Sequence, residues 1–360
     1  RGTDFAYLNF DDERLLGVRN YDDIIKGIKE VYGDTRLLLF DEIQNLERWE
    51  LFVNRLQRRG YNILLTGSNS RLLSRELSTH LTGRYVQFQI LPFSFSEFLK
   101  GRGLEAGDAG GSKEKQGMIL HHLGEFIERG GFPEVVLQRI VNRDYLKFLT
   151  ESVLFKDVVK RYNVRYSQKL YDLALYLLNN HSSQFSSTKL KNVLGFRSVH
   201  TVENYISYLE DCFLAFTLSR FSFKLKEQIR SPRKIYAFDS GIIQAFKFRL
   251  SPDIGRLMEN VAAVELARRA GEFYYYKTPR GLEVDFVLKE GAAVSQLVQV
   301  CYEIESGAVR DREYKPLLAA APELGCRDLL VVTWNAEGEE KYRNVRVKIK
   351  PLWKWLLERP

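Results

Sequence analysis

Apolar and polar positions along this chain fall into three regimes. In the first third, short apolar runs, "FAYLNF", "RLLLF" and "YNILLTG", alternate with "NYDDIIKGIKEVYG" and "LERWELFVNRLQRRG", whose apolar residues recur every three or four positions. Short unbroken runs suit strands buried on both faces and the longer period suits amphipathic helices, which together predict a parallel α/β sheet. From "GGFPEVVL" onward the pattern is helical, through "DYLKFLTESVLFKDVVKRY" and "SQKLYDLALYLLNNH". In "SSTKLKNVLGFRSVHTVENYISYLEDCF" it predicts two helices about a turn at Gly195, with Leu190, Val193 and Leu194 packing on Val202, Tyr205, Ile206 and Leu209. That is helix-turn-helix geometry, and "FLAFTLSRF" with "RKIYAFD" supplies the strands of a wing. In the last third, a helix ending near Gly271 precedes strands at "FYYYKT", "EVDFVLKE", "SQLVQVCYEI", "DLLVVTW" and "VRVKIKPL" and a short terminal helix, "LWKWLLERP". The changes of regime divide the 360 residues into 1–128, 129–250 and 251–360.

Composition narrows the class. No apolar run approaches the length of a membrane span, no cleavable secretory signal is present, and no membrane is expected as partner. Three scattered cysteines, Cys212, Cys301 and Cys326, give neither a disulfide framework nor a zinc site, which fits a reducing cytoplasm. The net charge of +8 leans towards an anionic partner.

The first candidate chemistry lies where "RLLLF" runs into Asp41 and Glu42. Carboxylates are costly to desolvate unless a cation meets them. An apolar strand ending in two acids is the pattern of nucleotide hydrolysis, with the first acid holding Mg²⁺ through water and the second polarising the attacking water. The alternative is a strand whose acids lie on a solvated loop. Ligands of parallel sheets bind at the carboxyl ends of the strands, and Ser68 and Asn69 follow the next strand there, where a polar group orients water or meets a phosphate.

Three stretches, "FDEIQNLERWE", "LLTGSNSRLLS" and "LTGRYVQFQILPFSFSEFL", resemble the AAA-superfamily ATPases of archaea and bacteria that carry a C-terminal nuclease-like domain. The resemblance runs along nearly the whole chain. It implies ATP and Mg²⁺ as cofactors, Asp41 and Glu42 as the Walker B pair, Ser68 and Asn69 as the sensor region, and Arg84 as a contact to the γ-phosphate across the subunit boundary of a homo-oligomer. For Arg84 the alternative is a surface arginine before a strand. One departure is large: the phosphate-binding loop G-x-x-x-x-G-K-[ST] appears nowhere in these residues, and "GGSKEKQG" has the wrong spacing and follows no strand. The chain opens on Arg1 close to a strand, so an absent upstream segment is expected, and residues 1–360 alone are not expected to hydrolyse ATP.

The polar face of the second helix of the pair carries His200, Thr201, Asn204 and Ser207, with Arg197 in the turn, residue types that meet phosphates and base edges. Between the wing strands lie Lys224, Lys226, Arg230, Arg233 and Lys234, read either as phosphate contacts or as a solvated hairpin. Basic residues interleaved with Trp353 and Trp355 near the end of the chain also suit nucleic acid, although tryptophans two apart do not share one helix face.

A helix bearing Glu259, a strand bearing Asp285 and a third strand resemble the PD-(D/E)XK nucleases, in which acids hold Mg²⁺ and a lysine stabilises developing charge. Here the third motif reads Gln299 for the acid and Cys301 for the lysine. Lys277 and Lys289 are candidates for a displaced lysine, and Arg280 or Lys277 for a partner that makes Asp285 merely a paired, buried acid. The expected fold is therefore α/β: a parallel-sheet P-loop NTPase core, a helical winged-helix domain and an α/β restriction-endonuclease-like domain. The expected function is ATP hydrolysis coupled to binding of nucleic acid, DNA in particular, or of a partner, with an inactive nuclease-like domain. The rival readings are a non-catalytic DNA-binding or adaptor protein and, third, a metal-dependent nuclease.

Overall fold

The computed structural model describes residues 4–15, 17–18, 20–67, 84–105, 112–138, 142–248, 253–269, 271–304, 307–342 and 345–358. They form two compact units, Arg1–Ile90 and Leu91–Pro360. Among the described residues no helix is long and apolar enough to cross a membrane.

The first unit is a parallel sheet of β1 (Ala6–Asn9), β2 (Leu37–Asp41) and β3 (Asn62–Leu65), with β2 in the middle. Helices α1 (Tyr21–Tyr32) and α2 (Trp49–Arg58) connect them. Asn20 caps α1 by accepting from the Asp22 amide, and Gly33 ends it at φ +76°, where a side chain would strain the backbone. The apolar stripes of both helices, Ile24 and Ile28, then Trp49, Phe52, Val53 and Leu56, close over Leu38 and Phe40 of β2. Phe40 stacks on Phe52 with ring centroids 5.8 Å apart. Burying such aromatics removes a large apolar area from water.

The second unit begins with helices α3 (Phe95–Gly101), α4 (Lys113–Arg129), α5 (Pro133–Gln138), α6 (Asn142–Ser152) and α7 (Ser167–Asn179). A π-helical turn, Val153–Val159, extends α6. Then come β4 (Ser183–Phe185), α8 (Ser187–Val193), α9 (Val199–Asp211), β5 (Ala215–Leu218), α10 (Leu225–Arg230) and β6 (Arg233–Ala237). Strands β4–β6–β5 form an antiparallel sheet in that order. The helix pair α8–α9 turns at Gly195, which has φ +65°. Leu190, Val202, Tyr205, Ile206 and Leu209 are buried as the periodicity predicts, but Val193 is 56% exposed. The link between β5 and β6 holds the helical turn α10 rather than an open hairpin.

After α11 (Ser240–Ala245) and α12 (Ile254–Arg268) comes a mixed six-stranded sheet. It comprises β7 (Glu272–Lys277), β8 (Glu283–Glu290), β9 (Ala293–Cys301), β10 (Leu329–Thr333), β11 (Gly338–Tyr342) and β12 (Val345–Pro351), ordered β11–β12–β10–β9–β8–β7. Helix α13 (Gly307–Leu324) links β9 to β10, and α14 (Leu352–Leu357) closes the chain. Along β9 and β10 alternate residues serve two cores. Val298, Val300, Leu330 and Val332 join the large core that includes α12, while Leu297, Cys301, Leu329 and Val331 join the one beneath α13. Trp353 and Trp355 are both buried, at 2% and 3% exposure, so neither offers the stacking surface that their basic surroundings suggest.

The antiparallel three-stranded sheet and the six-stranded sheet are joined. The Phe221 amide donates to the Tyr275 carbonyl across 2.7 Å, and the Tyr275 amide to the Ser219 carbonyl across 3.2 Å. The Asn260 side chain on α12 donates to and accepts from the backbone of Ala237.

Candidate functional site

The parallel register sets Asn9 beside Asp41 on one flank and Leu65 beside Phe40 on the other, so three strand ends converge. Tyr7 on β1 donates its hydroxyl to Asp41 Oδ2 across 2.9 Å, and Thr66, just past β3, donates to Asp41 Oδ1. The carboxylate is thus gripped from both neighbouring strands. Its hydrogen bond to Tyr7 also raises the pKa of that phenol. Glu42 follows with φ +51° and ψ +42°, a left-handed conformation that costs a non-glycine residue about 1 kcal/mol or more. The strand ends there and a 3-10 turn, Ile43–Asn45, begins. Gln44 donates to the Glu42 carboxylate, and the Glu42 amide faces Thr66 Oγ1 at 3.4 Å.

Of the predicted nucleotide-site residues, Asp41 and Glu42 stand together at a strand end, as the pattern requires. Arg84 is exposed. Ser68 and Asn69 lie outside the described residues. Tyr7 and Thr66 escaped sequence reading, although one signal was present: a hydroxyl directly after "NILL" must lie level with the end of the neighbouring strand.

In the α8–α9 pair, Arg197 and His200 are exposed and Thr201 and Asn204 half-buried, with Asn204 Nδ2 3.2 Å from His200 Nδ1. Lys224, Lys226 and Arg230 are exposed on and beside α10, where Phe223, Leu225 and Ile229 are exposed as well. The other two basic residues read as wing contacts are placed differently. Arg233 is half-buried and paired with Glu203. Lys234 is 2% exposed and points into the molecule. They are neighbours on β6, the central strand of its sheet, and so face opposite sides; Lys234, on the side of the core, cannot reach an external phosphate.

Lys234 Nζ meets three carboxylates: Glu259 Oε1 at 2.8 Å, Glu283 Oε1 at 2.6 Å and Asp285 Oδ1 at 3.2 Å. Glu259 also accepts from the Tyr236 hydroxyl at 2.7 Å, Glu283 from Gln184, and Asp285 Oδ2 from the Val300 amide at 3.0 Å. Burial opposes the Lys234 charge, but Tyr236 and the three acids outweigh it and raise its pKa well above the ordinary value. Burial, and then the charge of Glu259, pushes the Asp285 carboxyl up to about 7.

Gln299 Oε1 accepts from the Asp285 amide at 3.4 Å, and its Nε2 donates to Glu313 at 3.2 Å. Cys301 donates to the Glu303 carbonyl, and burial pushes its thiol up to about 11, so it carries no charge at neutral pH. Lys289 pairs with Glu272 instead of Asp285. The cation that pairs with Asp285 is Lys234, not Arg280 or Lys277. Sequence reading missed this because two helices and a strand separate Lys234 from Asp285, and Lys234 lies in a run that reads as a charged surface loop.

Comparison with known proteins bears on the same regions. The AAA domain family matches residues 1–99, and two domains of unknown function, DUF8612 and DUF4143, match residues 120–253 and 254–355. The "Uncharacterized protein MJ1544" of Methanocaldococcus jannaschii is 35% identical, over 98% of this chain and 82% of its own length. An "Uncharacterized protein" of Haemophilus influenzae is 29% identical over 83% of this chain and 74% of its own length. A second M. jannaschii protein, MJ1637, is 23% identical over 80% and 64% respectively. No solved structure matches. An AAA domain on a parallel sheet followed by the DUF4143 domain defines an AAA-like member of the ATPase families. The chain belongs to the same family as MJ1544.

Proposed function

We propose that Asp41 and Glu42 are the Walker B pair of an ATPase site, and that nucleotide state there governs binding of nucleic acid by the α8–α9 pair and the basic turn at α10. The observation that carries the first part is the grip of Tyr7 and Thr66 on Asp41 at the carboxyl edge of the sheet. A carboxylate fixed by two hydroxyls keeps a set direction for accepting from metal-bound water, which fits Mg²⁺ held through water. Bound Mg²⁺-ATP supplies the electrophilic phosphorus and neutralises the charge that builds on the phosphate oxygens. Glu42, turned off the strand by its left-handed backbone, then accepts a proton from the attacking water. The amides and lysine that cradle phosphates belong to a G-x-x-x-x-G-K-[ST] loop, which is not among these 360 residues.

The second part rests on charge and arrangement. The helix pair α8–α9 beside a three-stranded antiparallel sheet in the order β4–β6–β5 supports reading it as a winged helix, and its exposed basic groups suit phosphates. The test of the whole reading is ATP turnover by the full gene product with and without Glu42→Gln, together with its nucleic-acid affinity in ATP and in ADP. Turnover indifferent to Glu42→Gln removes the ATPase part. Affinity that ignores both nucleotide and salt leaves a non-catalytic adaptor.

A further inference from the structure

The link between β5 and β6 presents apolar side chains and cations side by side. Phe223 and Ile229 are each 73% exposed and Leu225 68%, and no residue of α10 is buried. Leu225 and Ile229 are four apart and share one face of the turn, and Lys226 and Arg230, also four apart, share the face next to it. The one acid of this stretch, Glu227, is occupied locally. It accepts from the Ser222 hydroxyl at 3.0 Å and pairs with Lys224 at 3.3 Å. Lys226 and Arg230 keep their charges exposed.

Exposed as it is, Phe223 is anchored. Its ring meets that of the buried Phe221 in a T-shaped contact, with centroids 5.1 Å apart. Phe221 packs in turn on Tyr274 of β7, centroids 5.7 Å apart, and its amide donates to the Tyr275 carbonyl. The Lys224 amide donates to Ser222 Oγ at 3.1 Å, which ties the backbone on either side of Phe223. A T-shaped contact covers at most one face of a ring, so Phe223 offers an open aromatic face held from behind by the sheet. We propose that this face stacks on an unpaired base of a nucleic-acid strand, with Leu225 and Ile229 against the neighbouring base and sugar and Lys226 and Arg230 on the flanking phosphates. The ligand is then a single strand, free or as the tail of a duplex.

The proposal rests on the nucleic-acid reading above and narrows it. Within a duplex, neighbouring bases cover one another's faces and leave only edges and phosphates open. Cations alone suit a duplex and a single strand alike, whereas an open aromatic face among them gains a partner where a base is unstacked. An intact duplex must first be unstacked to receive such a wedge, a cost that a single strand does not carry. An anionic lipid surface or an acidic peptide would meet the same cations, and the experiment separates them.

The test is fluorescence anisotropy of a labelled oligonucleotide with the full gene product, in ATP and in ADP. The oligonucleotide is offered as a single strand, as a blunt duplex and as a single strand of abasic sites. The wild type should hold the single strand more tightly than the other two at equal salt. Phe223→Ala should weaken the single strand by about 10-fold, leave its salt slope unchanged and spare the abasic strand and the duplex. Phe223→Trp should keep the affinity. Phe223 lies outside the cores, so both variants should melt close to the wild type. Lys226→Ala with Arg230→Ala should instead lower the single-strand slope by about 1.4, at about 0.7 for each phosphate. If Phe223→Ala weakens all three forms alike, or none, while the paired charge removal still lowers the slope, stacking is overturned and the nucleic-acid reading stands. Absence of salt-dependent binding to every form removes both. Poly-glutamate that displaces the single strand from wild type and Phe223→Ala equally would reduce the site to charge alone. Vesicles of phosphatidylcholine and phosphatidylserine that bind the wild type but not Phe223→Ala, with no strand bound, would assign the turn to a lipid surface and overturn the proposal as well.

Discussion

Tyr7 donates to Asp41 across 2.9 Å from the neighbouring strand, and Thr66 closes on the same carboxylate from the opposite side. An acid so placed is oriented before any ligand arrives, and side chains that only orient have a measurable signature. In the full gene product, Glu42→Gln should retain ATP binding and lose turnover by roughly 10²–10⁴-fold, the usual cost of removing a general base. Tyr7→Phe should leave Glu42 in place, lower turnover by about 10-fold and raise the Mg²⁺ concentration needed for half-maximal rate. Turnover and Mg²⁺ dependence unchanged by Tyr7→Phe would make that hydrogen bond incidental.

Much of the scaffold was legible because its signals are local. Buried strands such as "RLLLF", the cap at Asn20 and the glycine at 195 each act within a few residues. The strand end at Asp41 and Glu42 was legible for the same reason, since strand and acids are contiguous. Helix α13 was not, because Pro316 and Pro322 read as helix breakers, yet the helix runs through both, with Pro316 buried. The ion cluster was illegible for a different reason. Lys234 lies in a run of basic residues whose composition matches a solvated loop, and only sheet topology turns that one side chain inward.

Removing the lysine should show how much the fold depends on it. Lys234→Met leaves Glu259, Glu283 and Asp285 without their cation, and breaking a buried pair in this way costs about 3–5 kcal/mol. Denaturant unfolding of Lys234→Met should show a loss of that order, while Arg230→Met, on the exposed turn, should stay close to wild type. Equal behaviour of the two would mean that the cluster is solvated rather than buried.

Asp285 also makes stability depend on pH. Its folded pKa of about 7 lies above the ordinary 3.8, so the folded state holds a proton that the unfolded state has released. The contribution is fully present below the unfolded value and is lost as pH rises through the folded one. The groups facing it are Lys234, Tyr236, Glu259 and Glu283, with Tyr275 beyond. Asp239, pushed up to about 6 by burial, acts in the same direction over a lower window. The melting temperature of the wild type should therefore fall from pH 5 to pH 8, and Asp285→Asn should flatten the part above pH 6. Parallel profiles for the two proteins would assign the slope to other groups.

The nucleic-acid reading now rests on fewer charges than the basic run contains. Lys224, Lys226 and Arg230 are exposed, whereas Arg233 is paired with Glu203 and Lys234 is buried. Removing one cation that neutralises a phosphate should lower the log–log salt slope by about 0.9, so replacing the three exposed residues should lower it by about 2.7. Fluorescence anisotropy of a labelled duplex from low to moderate salt measures this. An unchanged slope would leave α10 and its flanks as a solvated turn.

The last prediction is that this protein cleaves no DNA. Metal-dependent hydrolysis of a phosphodiester needs acids open to a cation and a positive group beside the attacking water. The acids are present as Glu259, Glu283 and Asp285, but their inward oxygens already accept from Lys234. At the positions that would complete the motif, Gln299 is spent between the Asp285 amide and Glu313, and Cys301 is a neutral thiol held on the Glu303 carbonyl. Linear, branched and single-stranded DNA with Mg²⁺ or Mn²⁺ should therefore stay intact, with Asp285→Ala assayed beside the wild type to expose contaminating nuclease. Cleavage that Asp285→Ala abolishes would mean that metal displaces the ammonium in the native protein and that Lys234 is the working lysine. Lys234→Gln should then abolish it too.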